Sequence, residues 1–127
     1  MYRILVIDDE PSICKALTMG LTSTDMEVYS TGTGGTGVRR GCAEEFDVFI
    51  VDLYLPDMNG LDVIREVKKC TPGSVYILIS AQNHPDHSTD AEKIGIDGFL
   101  EKPLDMKSVQ DAIKSGLDHR EDRFDSA

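Results

Sequence analysis

Five short apolar segments divide the chain, and each is a candidate β-strand. Three of them are nearly continuous and rich in β-branched residues, which is typical of strands buried on both faces of a parallel sheet. The segment Met26–Ser30 instead alternates apolar and polar positions, which predicts an edge strand covered on one side. The five segments are Arg3–Ile7, Met26–Ser30, Phe46–Val51, Val75–Ile79 and Gly98–Leu100.

Apolar residues three or four positions apart predict helices between these strands. One stripe follows Pro11, a second ends before Thr71, and a third follows Asp105, a suitable N-cap. The stripes are Ile13, Leu17 and Leu21; Leu61, Ile64 and Val67; and Met106, Val109, Ile113 and Leu117. A further short helix is predicted at Pro85–Ile94, whereas the glycines of Gly34–Ala43 predict a loose loop with a frayed helix.

Strands that alternate with helices predict an α/β fold built from βαβ units. Such units form a parallel sheet with helices on both faces. The 127 residues suit five units in one domain. We expect the domain to cover residues 1–118, with residues 119–127 as a polar C-terminal tail or the start of a linker.

The charge balance narrows the classes of partner. The chain has 13 basic and 23 acidic side chains, a formal charge of −10 and a pI near 4.6. This excess of negative charge argues against direct binding to nucleic acid or to an anionic membrane. No apolar segment approaches the roughly 20 residues that a membrane span requires.

The cysteines are few, odd in number and widely spaced. They are Cys14, Cys42 and Cys70. This pattern predicts free thiols that serve as half-buried packing residues in the reducing cytoplasm, not a disulfide framework.

Charged and hydroxyl residues follow four of the five strands. Ligands of parallel sheets bind at the carboxyl ends of the strands, so these residues are candidates for chemistry. Clustered carboxylates stay ionised together when a cation neutralises them, and oxygen ligands favour Mg²⁺ or Mn²⁺. A carboxylate of this cluster could attack a phosphoryl group, with a lysine to neutralise the phosphate and a serine to donate a hydrogen bond. The segments are Asp8-Asp9-Glu10, Asp52, Ser80 and Glu101-Lys102-Pro103.

A single aspartate at a strand end is more often a helix cap or a turn residue. That interpretation does not explain complementary groups after four strands at once. Asp8-Asp9, Asp52, Ser80-Ala81 and Lys102-Pro103, in this order over about Tyr2 to Leu117, resemble the receiver domain of bacterial response regulators.

The resemblance implies a flavodoxin-like (βα)₅ fold with strand order 2-1-3-4-5. It implies a signalling phosphoacceptor, not an enzyme in the usual sense, that takes phosphate from a sensor histidine kinase or phosphotransfer protein. The expected partner for output is a downstream protein, a fused output domain, or a second copy joined on phosphorylation.

The resemblance also assigns roles to individual residues. Asp52 is the phosphoacceptor, and Lys102 contacts the phosphoryl group. The peptide bond between Lys102 and Pro103 is expected to be cis. The expected Mg²⁺ ligands are Asp8 (through water), Asp9, Asp52 and the Tyr54 backbone carbonyl. Ser80 and Phe99 are the expected switch residues, and they act on the face built from the helix at Pro85–Ile94 and the fifth strand.

Two other functions stay open from the sequence. Gly32-Thr33-Gly34-Gly35-Thr36-Gly37 matches the G-x-G-x-x-G pattern of dinucleotide-binding loops, with Asp52 at the next strand end. Against it, the preceding strand has the pattern of an edge strand, and the fingerprint requires a central first strand. The second alternative is a receiver-like interaction module that is not phosphorylated, against which the intact Asp52, Asp9 and Lys102 argue.

Overall fold

The computed structural model describes residues 1–81 and 94–125, which contain four helices and five strands. The predicted helix at Pro85–Ile94 lies outside the described residues except for Ile94. The elements are β1 (Tyr2–Ile7), α1 (Pro11–Leu21), β2 (Met26–Thr31), α2 (Gly34–Ala43), β3 (Val48–Asp52), α3 (Gly60–Cys70), β4 (Val75–Ala81), β5 (Gly98–Lys102) and α4 (Met106–Asp125).

The strands form one parallel sheet in the order β2-β1-β3-β4-β5, as the resemblance implied. Every residue of β3 is buried, and so are the last four of β1 and the first five of β4. β2 lies at one edge and is mostly half-buried. The difference between continuous and alternating apolar segments therefore predicted correctly which strands are central.

Two apolar cores cover the two faces of the sheet. Because side chains alternate along a strand, Ile4 and Val6 face α1 and α4, whereas Leu5 and Ile7 face α2 and α3. The predicted stripes supply the helix side of each core, with Leu17 from α1 and Ile64 from α3. Helices on both faces are thus confirmed.

The segment Gly34–Ala43 is a regular helix, so the expectation of a loose loop was wrong. Its glycines are packing residues. A Cβ on Gly37 would lie 2.5 Å from Ile7 Cδ1, and one on Gly41 would lie 2.8 Å from the Phe49 ring. The close approach of α2 to the sheet therefore offsets the low helix propensity of glycine, about 1 kcal/mol per residue.

The last helix continues to Asp125, well beyond Leu117, where the apolar stripe ends. Residues 119–125 therefore continue this helix, and whether residues 119–127 are a polar tail or the start of a linker stays a prediction. Long-range polar contacts support this extension: Arg120 pairs with Asp47 at 3.1 Å, and the Tyr2 hydroxyl donates to Glu121 at 3.4 Å. A domain boundary after residue 118 stays a prediction.

Two of the three cysteines form a disulfide, which corrects the expectation of free thiols. Cys42 at the end of α2 and Cys70 at the end of α3 have Cα atoms 5.2 Å apart, and both residues are exposed. The sequence did not predict this pair, because 28 positions separate the two cysteines and only the packing of α2 beside α3 brings them together. Cys14 is a free, half-buried thiol, as expected.

Within residues 1–81 and 94–125, no helix combines the length and the apolar character that crossing a membrane would take.

Candidate functional site

Three carboxylates meet at the carboxyl edge of the sheet. Asp8 directly follows β1, Asp52 ends β3, and Glu10 lies in the turn before α1. One oxygen from each lies within 4.8 Å of the others. Strand ends therefore converge as predicted, but Glu10 joins Asp8 and Asp52 where Asp9 was expected.

Lys102, the last residue of β5, binds all three carboxylates. Its Nζ lies 2.9 Å from Asp52 Oδ2 and 3.4 Å from Asp8 Oδ2, and it also donates to Glu10 Oε1. The Asp8 side chain is fully buried and that of Asp52 is 7% exposed, whereas Glu10 is half exposed. Three carboxylates and one ammonium group leave a net charge of about −2, so the site attracts a further cation.

Asp8 has one oxygen that lies beside Lys102 but accepts no hydrogen bond within the described part of the chain. Its Oδ1 accepts from the Glu10 N–H at 2.8 Å, but buried Oδ2 accepts no hydrogen bond from any residue that the structure describes. Burial, reinforced by the Asp52 charge, raises the pKa of Asp8 to about 6. This buried oxygen beside two further carboxylates fits a hard divalent cation such as Mg²⁺ or Mn²⁺.

The lysine stays charged in this setting. Burial by itself would lower the pKa of Lys102, but the hydrogen bonds to Glu10 and Asp52, together with the Asp8 and Asp52 charges, raise it above its usual value. Lys102 is therefore a fixed positive charge beside Asp52.

The loop after β3 holds Asp52 in place. The Tyr54 N–H donates to Asp52 Oδ1 at 3.1 Å, while Oδ2 accepts from Lys102. Asn59 caps α3 by accepting from the Leu61 N–H at 2.8 Å. The Asp52 carboxylate is thus oriented through both oxygens.

The other predicted site residues lie around this cluster. Asp9 is exposed, and its carboxylate is outside the group formed by Asp8, Glu10 and Asp52. Tyr54 is 44% exposed, Ser80 is half-buried on β4 opposite Glu101, and Phe99 is 53% exposed on β5. The peptide bond between Lys102 and Pro103 is cis. The proposed metal roles of Asp9 and Tyr54 and the switch roles of Ser80 and Phe99 stay predictions.

The G-x-G-x-x-G segment serves a different purpose from the one its pattern suggests. The N–H groups of Gly34 and Gly35 donate to the two oxygens of Asp57 at 2.8 and 2.9 Å, and these bonds lower the pKa of Asp57. Thr33 accepts from the Thr36 N–H. A pyrophosphate would have to displace the Asp57 carboxylate from the helix N-terminus, so the geometry argues against a dinucleotide site.

The pKa of Asp8 predicts how stability depends on pH. The pKa of Asp8 in the folded protein, about 6, lies above the ordinary value of 3.8. The contribution of Asp8 to the free energy of unfolding is therefore full below pH 3.8 and is lost as the pH rises through 6. Asp8→Asn should remove this loss. As the pH rises from about 4.5 to about 8, the free energy of unfolding of the variant should therefore increase by about 2 kcal/mol relative to that of the original protein. Urea denaturation in EDTA across that range measures the difference, and a difference that does not change with pH would contradict the prediction.

Comparison with known proteins shows which family the chain belongs to. Residues 4–114 match the family model described as the response regulator receiver domain. The chain belongs to the response regulator receiver domain family. The resemblance stated from Asp8-Asp9, Asp52, Ser80 and Lys102 is confirmed: the chain is a receiver domain of the kind found in two-component response regulators.

Known proteins from several organisms resemble this receiver domain in sequence or in fold. The chain is 37% identical to the transcriptional regulatory protein KdpE of Mycobacterium tuberculosis over 117 residues, 92% of this chain and 51% of that protein. It is 31% identical to the transcriptional regulatory protein GlrR of Escherichia coli over 116 residues, 91% of this chain and 26% of that protein. A CheY-like receiver domain protein from Methanospirillum hungatei superposes with a TM-score of 0.90 at 28% identity, over 97% of this chain and 98% of that one. The chain thus spans about a quarter to a half of these curated relatives.

Proposed function

We propose that this receiver domain accepts a phosphoryl group on Asp52 from the phosphohistidine of a sensor histidine kinase or phosphotransfer protein. The observation that carries the proposal is the Asp52 carboxylate, which is held by the Tyr54 N–H and by Lys102 within a cluster of acids. A general-purpose interaction surface has no need of a half-buried lysine that binds three carboxylates.

The transfer forms one bond and breaks one. An Asp52 oxygen attacks the phosphorus atom, the bond from phosphorus to the histidine nitrogen breaks, and that nitrogen keeps the electron pair and takes up a proton. Lys102 contacts the new phosphate and neutralises part of its charge. Ser80 donates a hydrogen bond to another phosphate oxygen.

A divalent cation fits the same cluster. Asp8, Asp52 and Glu10 would hold it, together with Asp9 and the Tyr54 carbonyl if these turn inward. When bound, Mg²⁺ or Mn²⁺ supplies positive charge that offsets the carboxylates and the incoming phosphoryl oxygens. Asp8 supplies the buried oxygen that lacks a hydrogen bond, so its carboxylate gains most from the cation.

The signal leaves the site through β4 and β5. Ser80 and Phe99 lie on these strands, and their rearrangement would change the affinity of the neighbouring surface for a downstream protein, a fused output domain or a second copy of the chain. We place the chain in the cytoplasm, where kinases of this class have their phosphohistidine. Because the chain has a formal charge of −10, we expect it to make no direct contact with nucleic acid or membrane.

Phosphorylation by a small donor tests the proposal. Incubation with acetyl phosphate and Mg²⁺ should add the mass of one phosphoryl group, and EDTA should prevent the addition. Asp52→Asn should show no adduct. The control Asp62→Asn changes an exposed aspartate of α3 that pairs with Arg65, and it should react like the original protein.

Two outcomes would overturn the proposal. Absence of an adduct on the original protein, together with no change in NMR shifts on adding beryllofluoride and Mg²⁺, would favour an interaction module that is not phosphorylated. An adduct that persists in Asp52→Asn would place the acceptor elsewhere.

A further inference from the structure

The Cys42–Cys70 disulfide lies on the surface at the opposite end of the sheet from Asp52. Both cysteines are exposed and line a cleft of about 600 Å³ that begins beside the amino ends of β1, β3 and β4. Arg3, Asp47 and Ser74, next to those strand starts, line the same cleft. Both cysteines can therefore be reached by a small molecule from solvent.

Close packing of α2 on α3 creates the pair. Gly41 precedes Cys42, and a Cβ at Gly41 would lie 3.1 Å from Val67 Cγ1 of α3 as well as 2.8 Å from the Phe49 ring. A larger side chain at position 41 would push the end of α2 away from α3. The glycine thus permits the 5.2 Å separation between the Cα atoms of Cys42 and Cys70.

The helix joined by this bond is one that needs outside support. Four of the ten residues of α2 are glycine, so its intrinsic helix stability is low. At its amino end, Asp57 binds the N–H groups of Gly34 and Gly35. At its carboxyl end, the disulfide joins it to α3. When the disulfide is intact, α2 is held at both ends.

We propose that Cys42 and Cys70 form a reversible thiol–disulfide exchange site for a low-molecular-weight thiol, and that its redox state sets the stability of α2. The inference rests on the cytoplasmic location in the proposed function, because disulfides in that compartment are usually transient and redox-sensing. Exposure of both cysteines meets the access requirement for such exchange.

Reduction consumes two equivalents of the small thiol. One thiolate attacks a sulfur of the Cys42–Cys70 bond, forms a mixed disulfide and releases the other protein sulfur as a thiolate. A second thiolate attacks the small-molecule sulfur of the mixed disulfide and releases the remaining protein thiolate. The two protein thiolates take up protons, the protein gains two electrons, and the small thiol leaves as its own disulfide. Oxidation of the dithiol by that small disulfide is the reverse sequence.

Reduction removes the covalent bond at the carboxyl end of α2 and leaves the helix held by Asp57 at its amino end and by its packing against Ile7 and Phe49. Asp57 lies in the loop that follows Asp52, the last residue of β3, and it caps the same helix that the disulfide joins to α3. We expect amide hydrogens of residues 34–43 to exchange at least tenfold faster in the reduced protein. The thermal midpoint should fall by about 5–15 °C, because the closed loop no longer restricts the unfolded chain.

Equilibration with mixtures of reduced and oxidised glutathione tests the site. The full chain is quenched in acid, alkylated and weighed by mass spectrometry, with hydrogen exchange measured on the same samples. Cys42 and Cys70 should convert together, in one reversible transition, as the glutathione ratio changes. Cys14→Ser should show the same transition, whereas Cys42→Ser and Cys70→Ser should show none and should have fast exchange in α2 throughout.

Three results would overturn the inference: thiols that stay free in excess oxidised glutathione, a bond that persists in excess reduced glutathione, or equal exchange of α2 in both redox states. Thiol counting does not require phosphorylation. Failure of acetyl phosphate to modify Asp52 in the same samples would therefore count against the proposed function alone.

Discussion

Lys102→Ala should lower the free energy of unfolding by about 2–4 kcal/mol at pH 7 in the absence of divalent cations. The substitution removes the ammonium group that binds Asp52 and Glu10 and lies 3.4 Å from Asp8. Buried carboxylates without a partner cost several kcal/mol, although proton uptake by Asp8 limits the loss. Urea denaturation in EDTA measures the change. Millimolar Mg²⁺ should recover part of it, because a bound cation stabilises the folded state by mass action.

The matched control is Lys107→Ala, which removes an exposed lysine of α4 and should change stability by less than about 0.5 kcal/mol. With Mg²⁺ and beryllofluoride, Lys102→Ala should also show smaller NMR shifts near Phe99 than the original protein. A variant as stable as the control in EDTA would mean that the three carboxylates do not depend on Lys102.

The main elements of the site follow from a local pattern combined with one topological rule. Apolar segments predict where strands end, and parallel strands end at the same edge of the sheet. Asp8, Asp52 and Lys102 could therefore be placed together from sequence. The strand order could not be predicted in this way, because periodicity carries no information about which strands are neighbours. The order came from the resemblance to receiver domains.

The features that the sequence did not predict depend on contacts between distant residues. Which acid of Asp8-Asp9-Glu10 turns towards Lys102 is decided by the path of the turn before α1, not by residue type. The helix α2 forms because Gly37 meets Ile7 and because Asp57 caps it. Propensity alone describes neither contact, since it treats each glycine as if it were exposed to water. The Cys42–Cys70 bond likewise requires knowledge that α2 and α3 are neighbours.

Gly60→Ala should lower the free energy of unfolding by about 3 kcal/mol or more. A Cβ at Gly60, the first residue of α3, would lie 2.2 Å from the Asp52 carbonyl oxygen and 2.8 Å from Leu53 Cα. These are backbone atoms that cannot rotate away, and the Gly60 N–H already donates to the Leu53 carbonyl at 2.7 Å. The start of α3 would have to move away from β3, which costs at least as much as overpacking a core. Urea denaturation measures the loss.

The same displacement should also affect chemistry at Asp52. The carboxylate is oriented by the Tyr54 N–H, which lies in the loop that Gly60 joins to α3. A shift of this loop should slow phosphorylation by acetyl phosphate about ten- to a hundredfold at a temperature where the variant stays folded. Gly32→Ala is the control, because a Cβ there meets no heavy atom within 4 Å, and its stability and rate should stay close to those of the original protein. If Gly60→Ala lost stability yet kept the original rate, the position of Asp52 would depend on Lys102 and not on the start of α3.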